Sequence, residues 1–399
     1  MWAVKKLGDV CDIKGGGTPS KSNESFYEGN IPWATVRDMR NERLSCTEMS
    51  ITEEAIKNSS TNLIPSGTII TATRVGLGKV CVLEQDTAIN QDLKAITPKT
   101  EELDNTFLYW WLKSIAHVIV GAGTGATVQG VKLTFVKALE IPLPTLPEQK
   151  RIVALLDTVS ADLEQTHAKT EQNLKNAREL FDSYLQQVFS QKGEGWEQKK
   201  WGDMCKFIRG PFGGSLKKSM FKPEGYAVYE QKHAIHDHIE QLRYFVDEEK
   251  FEEMKRFELK PGELIMSCSG VTLGKASVIP EGAPKGIINQ ALLKLTANED
   301  LDIHFLKYWI RSKIFQDIIF EHAGGAAIPN VPAAKILKEI KLQIPTIEKQ
   351  KTIVSEIDLM VSKRDSLLRI YTEKLAALDE LKKSILQKAF SGELTTTAK

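Results

Sequence analysis

Trp2-Ala3-Val4-Lys5-Lys6-Leu7-Gly8-Asp9-Val10-Cys11 opens the chain, and Trp196-Glu197-Gln198-Lys199-Lys200-Trp201-Gly202-Asp203-Met204-Cys205 matches it without a gap about 200 residues later. An internal repeat is the first thing to establish, because positions kept in both copies and positions that differ answer different questions. Three further blocks recur in the same order. Gly67-Thr68-Ile69-Ile70, Leu77-Gly78-Lys79 and Asn90-Gln91 answer to Gly262-Glu263-Leu264-Ile265, Leu273-Gly274-Lys275 and Asn289-Gln290. The aromatic run Phe107-Leu108-Tyr109-Trp110-Trp111-Leu112 answers to Phe305-Leu306-Lys307-Tyr308-Trp309-Ile310, each followed by a glycine-rich stretch (Gly121 to Gly125; Gly324-Gly325). Pro144-Thr145 with Gln149, Ile152, Val153 and Asp157 answers to Pro345-Thr346 with Gln350, Ile353, Val354 and Asp358.

Within each copy, short β-rich runs such as Thr68 to Thr73, Val80 to Leu83 and Lys94 to Thr97 precede the aromatic helix, the pattern of a mixed α/β domain. Thr145-Leu146-Pro147-Glu148 then has the form of a capping box, with Thr145 as N-cap and Glu148 reaching back. From Leu146 to about Ser190 neither Pro nor Gly breaks the helix except Pro147 in its first turn, and at 1.5 Å per residue it would run roughly 65 to 70 Å. A second long helix is expected from Ile347 to about Phe390. Stepping by three and four from Ile357 visits Met360, Arg364, Leu367, Tyr371, Lys374, Leu378, Leu381 and Ile385, a seam broken only by Arg364 and Lys374. The same register in the first helix gives Leu156, Val159, Leu163, Thr166, Thr170, Asn173, Ala177, Leu180 and Tyr184, polar in the middle. Such seams pair helices; the plainer alternative packs each helix only on its own domain. Because Phe189-Ser190 leads into the second copy and Phe390-Ser391 lies near the chain end, antiparallel pairing would give a circular, pseudo-twofold body.

The bulk properties fit a folded protein of two or three domains: 399 residues, 42% hydrophobic and 26% charged. No apolar run resembles a signal peptide or a membrane span, so the cytoplasm is the expected location. Five scattered cysteines without a CxxC pair indicate neither disulfides nor zinc. The net charge of +1, from 53 Lys plus Arg against 52 Asp plus Glu, does not by itself announce a nucleic-acid binder. Enzymatic readings fare worse. Val118 to Gly125 imitates a cofactor glycine loop but follows a helix, and Ala323-Gly324-Gly325-Ala326 lacks the pattern. Gly270-Val271-Thr272-Leu273-Gly274-Lys275-Ala276 is a glycine spacing short of a P-loop, with Ala276 where magnesium chemistry needs Ser or Thr. His233, His236 and His238 could hold a metal, but the first copy has no such cluster, and a polar loop is the expected form.

The ordered motifs resemble the specificity subunits of type I restriction-modification enzymes over essentially the whole chain. In the first copy they are Gly15-Gly16-Gly17-Thr18-Pro19-Ser20-Lys21, Ile31-Pro32-Trp33 with Asp38-Met39, and Ile141-Pro142-Leu143-Pro144 leading to Glu148-Gln149-Lys150-Arg151-Ile152-Val153. In the second they are Pro211-Phe212-Gly213-Gly214-Ser215-Leu216-Lys217 and Tyr229-Glu230-Gln231-Lys232. The resemblance implies α/β target recognition domains in tandem, residues 1–145 and 193–345, each reading half of a split, asymmetric duplex DNA site. It implies two helical regions, 146–192 and 346–399, that set the gap and dock two modification subunits, with motor-nuclease subunits joining for cleavage. It further implies that this chain is not an enzyme and binds no cofactor or metal, S-adenosylmethionine, ATP and Mg belonging to the partners. One departure is Ile347-Glu348-Lys349-Gln350, where the family usually has a Pro and a Glu-Gln pair. The rival reading is a free-standing two-domain DNA-binding or antirestriction protein.

If the half-sites differ, residues identical in both copies cannot account for the difference. Asn90-Gln91 and Asn289-Gln290 are therefore read chiefly as scaffold. The divergent pair Thr35-Val36-Arg37-Asp38 and Glu230-Gln231-Lys232-His233 supplies the leading base readers, Thr35, Arg37, Asp38, Glu230, Gln231, Lys232 and His233, with groups suited to guanine, adenine and cytosine. Gln129 and Asn330 are weaker candidates. Thr18, Ser20, Lys21, Lys79, Ser215, Lys217, Lys218 and Lys275 suit phosphate contacts, which position without specifying.

Overall fold

The computed structural model describes residues 2–124, 130–191, 195–212, 214–270, 272–322 and 329–394. The chain divides into two compact units: Met1–Glu171 with Glu373–Lys399, and Gln172–Thr372. Each unit thus owns one globular part, one half of the first long helix, Leu146–Ser190, and one half of the second, Ile347–Ser391.

Both globular parts follow one plan. In the first, a sheet runs in the order Cys11–Gly15, Leu93–Pro98, Ile69–Ala72, Val80–Leu83, Arg43–Leu44. A second sheet runs Met49–Ile51, Ile31–Ala34, Thr87–Ile89, Asn62–Ile64, with the middle two strands parallel. The second part repeats this as Cys205–Arg209, Leu292–Ala297, Leu264–Ser267, Ala276–Val278, and as Phe245–Val246, Tyr226–Tyr229, Gly286–Ile288, Glu258–Leu259, again parallel in the middle. Ile69–Ala72 and Leu264–Ser267 are buried at every residue, as strands covered on both faces must be. Each is entered through a glycine with φ near +80° (Gly67, Gly262), which a side chain would strain. A two-stranded ribbon closes each domain: Ala3–Lys6 with Glu140–Leu143, and Glu197–Lys200 with Lys341–Ile344.

The aromatic helices Asn105–Ser114 and Ile303–Arg311 start at Asp104 and Asp302, whose carboxylates accept backbone N–H groups of the first turn. Phe107 to Leu112 are all buried, because this helix lies between sheet and long helix. In the first unit its core continues into Ile152, Leu156 and Ala389, with Phe107 edge-on to Phe390 at 5.2 Å. In the second, Phe305 meets Phe189 at 5.2 Å beside Ile353, Val354 and Ile357. Each domain therefore packs on halves of both helices. Gly392, just past the second long helix, lies close to the start of the first domain: a Cβ there would stand 3.5 Å from the Trp2 ring.

Inside each unit the helical halves run antiparallel. In the first, Ile152 and Leu156 share a core with Ile385, Leu386 and Ala389 while Glu164 pairs with Lys382 at 3.5 Å. In the second, Leu185 and Phe189 pack with Ile353 and Ile357 while Arg364 sits over the Phe181 ring at 4.4 Å. The seam departs from the expected one by a residue at 173/174, 180/181, 367/368, 374/375 and 381/382, where the expected residue is exposed and its neighbour covered, whereas at 159/160, 166/167 and 360/361 both residues are at least partly covered. The covered stripe is Leu156, Ser160, Leu163, His167, Thr170, Leu174, Ala177, Phe181, Tyr184, and Ile357, Val361, Arg364, Leu368, Tyr371, Leu375, Leu378, Lys382, Ile385, Ala389. Leu180 is 61% exposed beside a Phe181 that is 8% exposed, and Leu367 and Leu381 face outward. The choice favours the larger ring at 181, and at 382 it lays a lysine stem along the seam with its head on Glu164.

Two local expectations are also corrected. Glu148 does not serve as the far arm of the expected capping box, because its carboxylate lies 3.2 Å from Arg151 Nε. The residue after it does the joining: Gln149 is fully buried, accepts from Asp104 N at 2.8 Å and donates to the Glu102 and Pro144 carbonyls at 2.7 and 2.8 Å. Gln350 repeats this on Asp302, Asp300 and Pro345 at 2.8, 2.9 and 3.0 Å. Secondly, the segment expected as a polar loop around His233 is the helix Gln231–His236.

Candidate nucleic-acid interface

In the first unit the connection between Ile31–Ala34 and Met49–Ile51 forms one wall of a cleft of about 620 Å³, lined by Thr18, Lys21, Tyr27, Thr35, Arg37, Asp38 and Gln91 among others. The glycine-rich segment contributes Thr18 and Lys21 to the lining. Its Gly17 carbonyl accepts from the Trp33 indole at 3.2 Å and from the Thr61 hydroxyl, and its Pro19 carbonyl from Tyr27 at 2.7 Å. A Cβ on Gly16 would stand 2.1 Å from the Ile89 carbonyl oxygen, so only glycine lets the segment lie this close to the sheet.

The expected readers in this cleft divide by what their polar atoms do. Asp38 is consumed internally: its carboxylate accepts from Thr35 N at 2.7 Å, Thr35 Oγ1 at 2.9 Å and Glu48 N at 2.8 Å. Thr35 Oγ1 also accepts from Arg37 N at 3.2 Å. These bonds fix the turn and leave the Arg37 guanidinium exposed, with no side-chain partner among the described residues. Lys21 is likewise exposed and unpaired among them, while Ser20 bonds Ser22 at 2.8 Å and Thr18 donates to Gln91. Asn90 holds the bend before the next strand by accepting from Asp92 N at 3.1 Å, as Asn289 does from Ala291 N at 3.0 Å. Lys79 lies in a different cleft, with Glu42, Lys113 and Glu164 beside the long helix.

The second unit equips the matching connection differently. Glu230 and His233 form a reciprocal cap on the helix Gln231–His236, with Glu230 N donating to His233 Nδ1 at 2.9 Å. Arg243 grips the Glu230 carboxylate through Nε and a terminal nitrogen at 2.9 and 2.8 Å. Gln231 exchanges two bonds with Ser269, at 2.5 and 3.1 Å, and Lys232 donates to the Gln241 carbonyl at 2.5 Å. Burial, with Lys232 adding repulsion, pushes the His233 imidazole down to about 4, and its Nε2 has no partner among the described residues. Such a ring is a neutral structural cap and is withdrawn from any ligand. His236 and His238 stack on one another at 5.8 Å. Asn330 pairs with Ser269 across a short bridge. Lys217, Lys218 and Ser215 are exposed, and Lys275 is half-buried, its ammonium disfavoured by burial and by Arg311. Gln129 lies outside the described residues.

Sequence reasoning missed three groups. Arg74, 3.4 Å from Asp92, sits beside the strand end that borders the first cleft; Arg243 completes the Glu230 site; Phe212 is 92% exposed. No periodicity marks any of them. The buried thiols Cys11, Cys81, Cys205 and Cys268 are all pushed up to about 12 by burial, which keeps them protonated and unreactive. Among the described residues no helix is long and apolar enough to cross a membrane, and no group of His, Cys, Asp and Glu could hold a metal ion.

One frame built twice, with a differently equipped polar cleft segment on each copy and both copies fused to long helices, defines a duplicated recognition protein. The chain belongs to the type I restriction modification DNA specificity domain family, whose model matches residues 1–176 and 193–369, and is thus a non-catalytic specificity subunit of the type I class. It is 25% identical to the type I restriction enzyme MjaIX specificity subunit of Methanocaldococcus jannaschii, over 98% of this chain and 93% of that one. It is 37% identical to the EcoR124I/EcoR124II specificity subunit of Escherichia coli over 38% of this chain and 39% of the relative. In fold it matches a chain from a structure on complex assembly and conformational transition of the type I R-M system, with a TM-score of 0.80, 21% identity and 98% of both chains covered. The HsdS subunit from Thermoanaerobacter tengcongensis follows, with a TM-score of 0.62, 20% identity and coverage of 98% and 97%.

Proposed function

We propose that residues 1–145 and 193–345 are two target recognition domains, each reading one half of a bipartite, asymmetric duplex DNA site. The helical regions 146–192 and 346–399 set the gap between the half-sites and dock two modification subunits, and motor-nuclease subunits join that assembly for cleavage in the cytoplasm. S-adenosylmethionine, ATP and Mg act on those partners. The observation that carries this reading is the contrast at one topological position: a turn that frees Arg37 in one copy, and a capped helix that binds Glu230 to Arg243 in the other. Arg37 is assigned to a guanine edge and Lys21 to backbone phosphate, the first specifying and the second positioning. Mapping methylated adenines in cells with and without this chain tests the reading. The expected result is a split motif with two unlike halves that disappears with the chain; a methylation pattern indifferent to the chain contradicts it and favours a free-standing DNA binder.

A further inference from the structure

Glu230 looks, in sequence, like an acceptor for a cytosine amino group, yet its carboxylate is already occupied. Its side chain is 11% exposed, it caps His233 N, and both oxygens accept from Arg243. What this arrangement presents to solvent is the arginine, whose side chain is 59% exposed. Its Nε–H and one terminal N–H point at Glu230, which leaves the end of the fork, the Nη1 hydrogens and the remaining Nη2 hydrogen, without a carboxylate among the described residues. One face of the guanidinium lies over the Tyr244 ring at 4.8 Å, and Tyr244 stacks on Phe221 at 4.5 Å. An exposed arginine is ordinarily disordered over many rotamers; here a buried carboxylate and an aromatic stack hold its plane before any ligand arrives.

The place of this group in the fold says what it faces. Tyr226–Tyr229 and Phe245–Val246 are the counterparts of Ile31–Ala34 and Met49–Ile51, each pair antiparallel and each flanked by a parallel strand. Residues 230–244 therefore occupy the position of residues 35–48, from which Thr35, Arg37, Asp38 and Glu48 line the cleft of the first unit. We infer that Arg243 is a guanine-reading residue of the second half-site and that Glu230 is its positioning residue, not a base reader. A guanine offers O6 and N7 side by side in the major groove, the pair of acceptors that the free end of an arginine fork matches. This inference rests on the DNA-reading function proposed above.

The test uses the full chain assembled with its modification subunits and duplexes carrying the motif that methylation mapping returns, with guanines replaced one at a time by 7-deazaguanine, which lacks the N7 acceptor. Wild-type complex should lose affinity by roughly 10- to 100-fold at a single guanine of one half-site. Arg243→Ala should bind normal DNA as weakly as that and lose no more on the modified duplex, and Arg243→Lys should not restore discrimination. Glu230→Gln should weaken discrimination at the same guanine only, leaving the other half-site and the gap unchanged, an effect that mere structural damage would not confine to one base. Arg243→Ala with unaltered motif and unaltered 7-deazaguanine sensitivity overturns the assignment, as does a uniform loss over all sequences, which marks a phosphate contact. A wild-type complex whose methylation does not depend on this chain overturns the underlying reading instead.

Discussion

The residues 35–48 and 230–244 depart from the same pair of strands and end differently. In the first copy the connection adds the short strand Arg43–Leu44 to the edge of the larger sheet, and Asp38 spends its carboxylate on the turn. In the second it folds into Gln231–His236, and Glu230 spends its carboxylate on the helix cap and Arg243. Where the domains meet the long helices the copies share their bonds: Gln149 and Gln350 make the same three, and Asp157 accepts from the Trp110 indole at 2.8 Å where Asp358 accepts from the Tyr308 hydroxyl. The difference teaches where each copy is free to vary. Frame positions are bound to partners on both sides, so a change costs folding energy; the cleft connections bond partly within themselves, as Asp38 to Thr35 and Glu230 to Arg243, and are anchored to the frame at a few points, as Arg43–Leu44 is to Val80–Leu83 and Gln231 to Ser269.

The largest effects should come from breaking the frame, and should be alike in the two copies. Gln149→Ala strands an N–H and two carbonyls in a dry site and should cost roughly 3 to 5 kcal/mol in denaturant unfolding. Gln350→Ala should cost the same within about 1 kcal/mol. Clearly unequal losses would break the claim of a shared frame. Smaller but again paired, Asp157→Ala and Asp358→Ala should each cost about 1 to 2 kcal/mol by leaving a partly buried indole or phenol donor without its acceptor.

The next test sharpens the contrast, because only the second copy has a buried imidazole. His233 has a folded-state pKa below its unfolded value, so its contribution is present above the ordinary histidine range and is lost as pH falls from about 6.5 towards 4. Protonation would put a hydrogen on Nδ1, the atom that accepts from Glu230 N. Thermal melting should therefore show the second unit weakening over that window, and His233→Asn should flatten the dependence; an unchanged acid slope in the variant would assign it elsewhere. The smallest effect is expected at Lys21. Lys21→Ala should weaken DNA binding by less than about 1 kcal/mol, equally across sequences, and reduce the salt slope by about 1.

Much of the frame was legible in the sequence. The order of repeated blocks located equivalent strands, and the absence of helix breakers located Leu146–Ser190 and Ile347–Ser391. The seam was legible only to within one residue, for a physical reason: at 180/181, 360/361 and 367/368 both neighbours are apolar, so a hydrophobic stripe of period three-and-four fits either choice. At 381/382 the apolar rule selects Leu381, whereas the fold covers the stem of Lys382. The candidate readers are harder still. Arg37 stands out as a candidate because it diverges within an aligned block, but Glu230 and Arg243 lie 13 residues apart in an irregular segment, where no pattern couples them.

The central claim, that divergent cleft segments on a common frame choose the bases, is tested most directly by methylation maps of cells carrying Arg37→Ala or Arg243→Ala chains. Each variant should make one position degenerate, the two positions should fall in opposite half-sites, and the gap between them should stay as in wild type. Degeneracy of both variants in the same half-site, or a changed gap with intact half-sites, would contradict it.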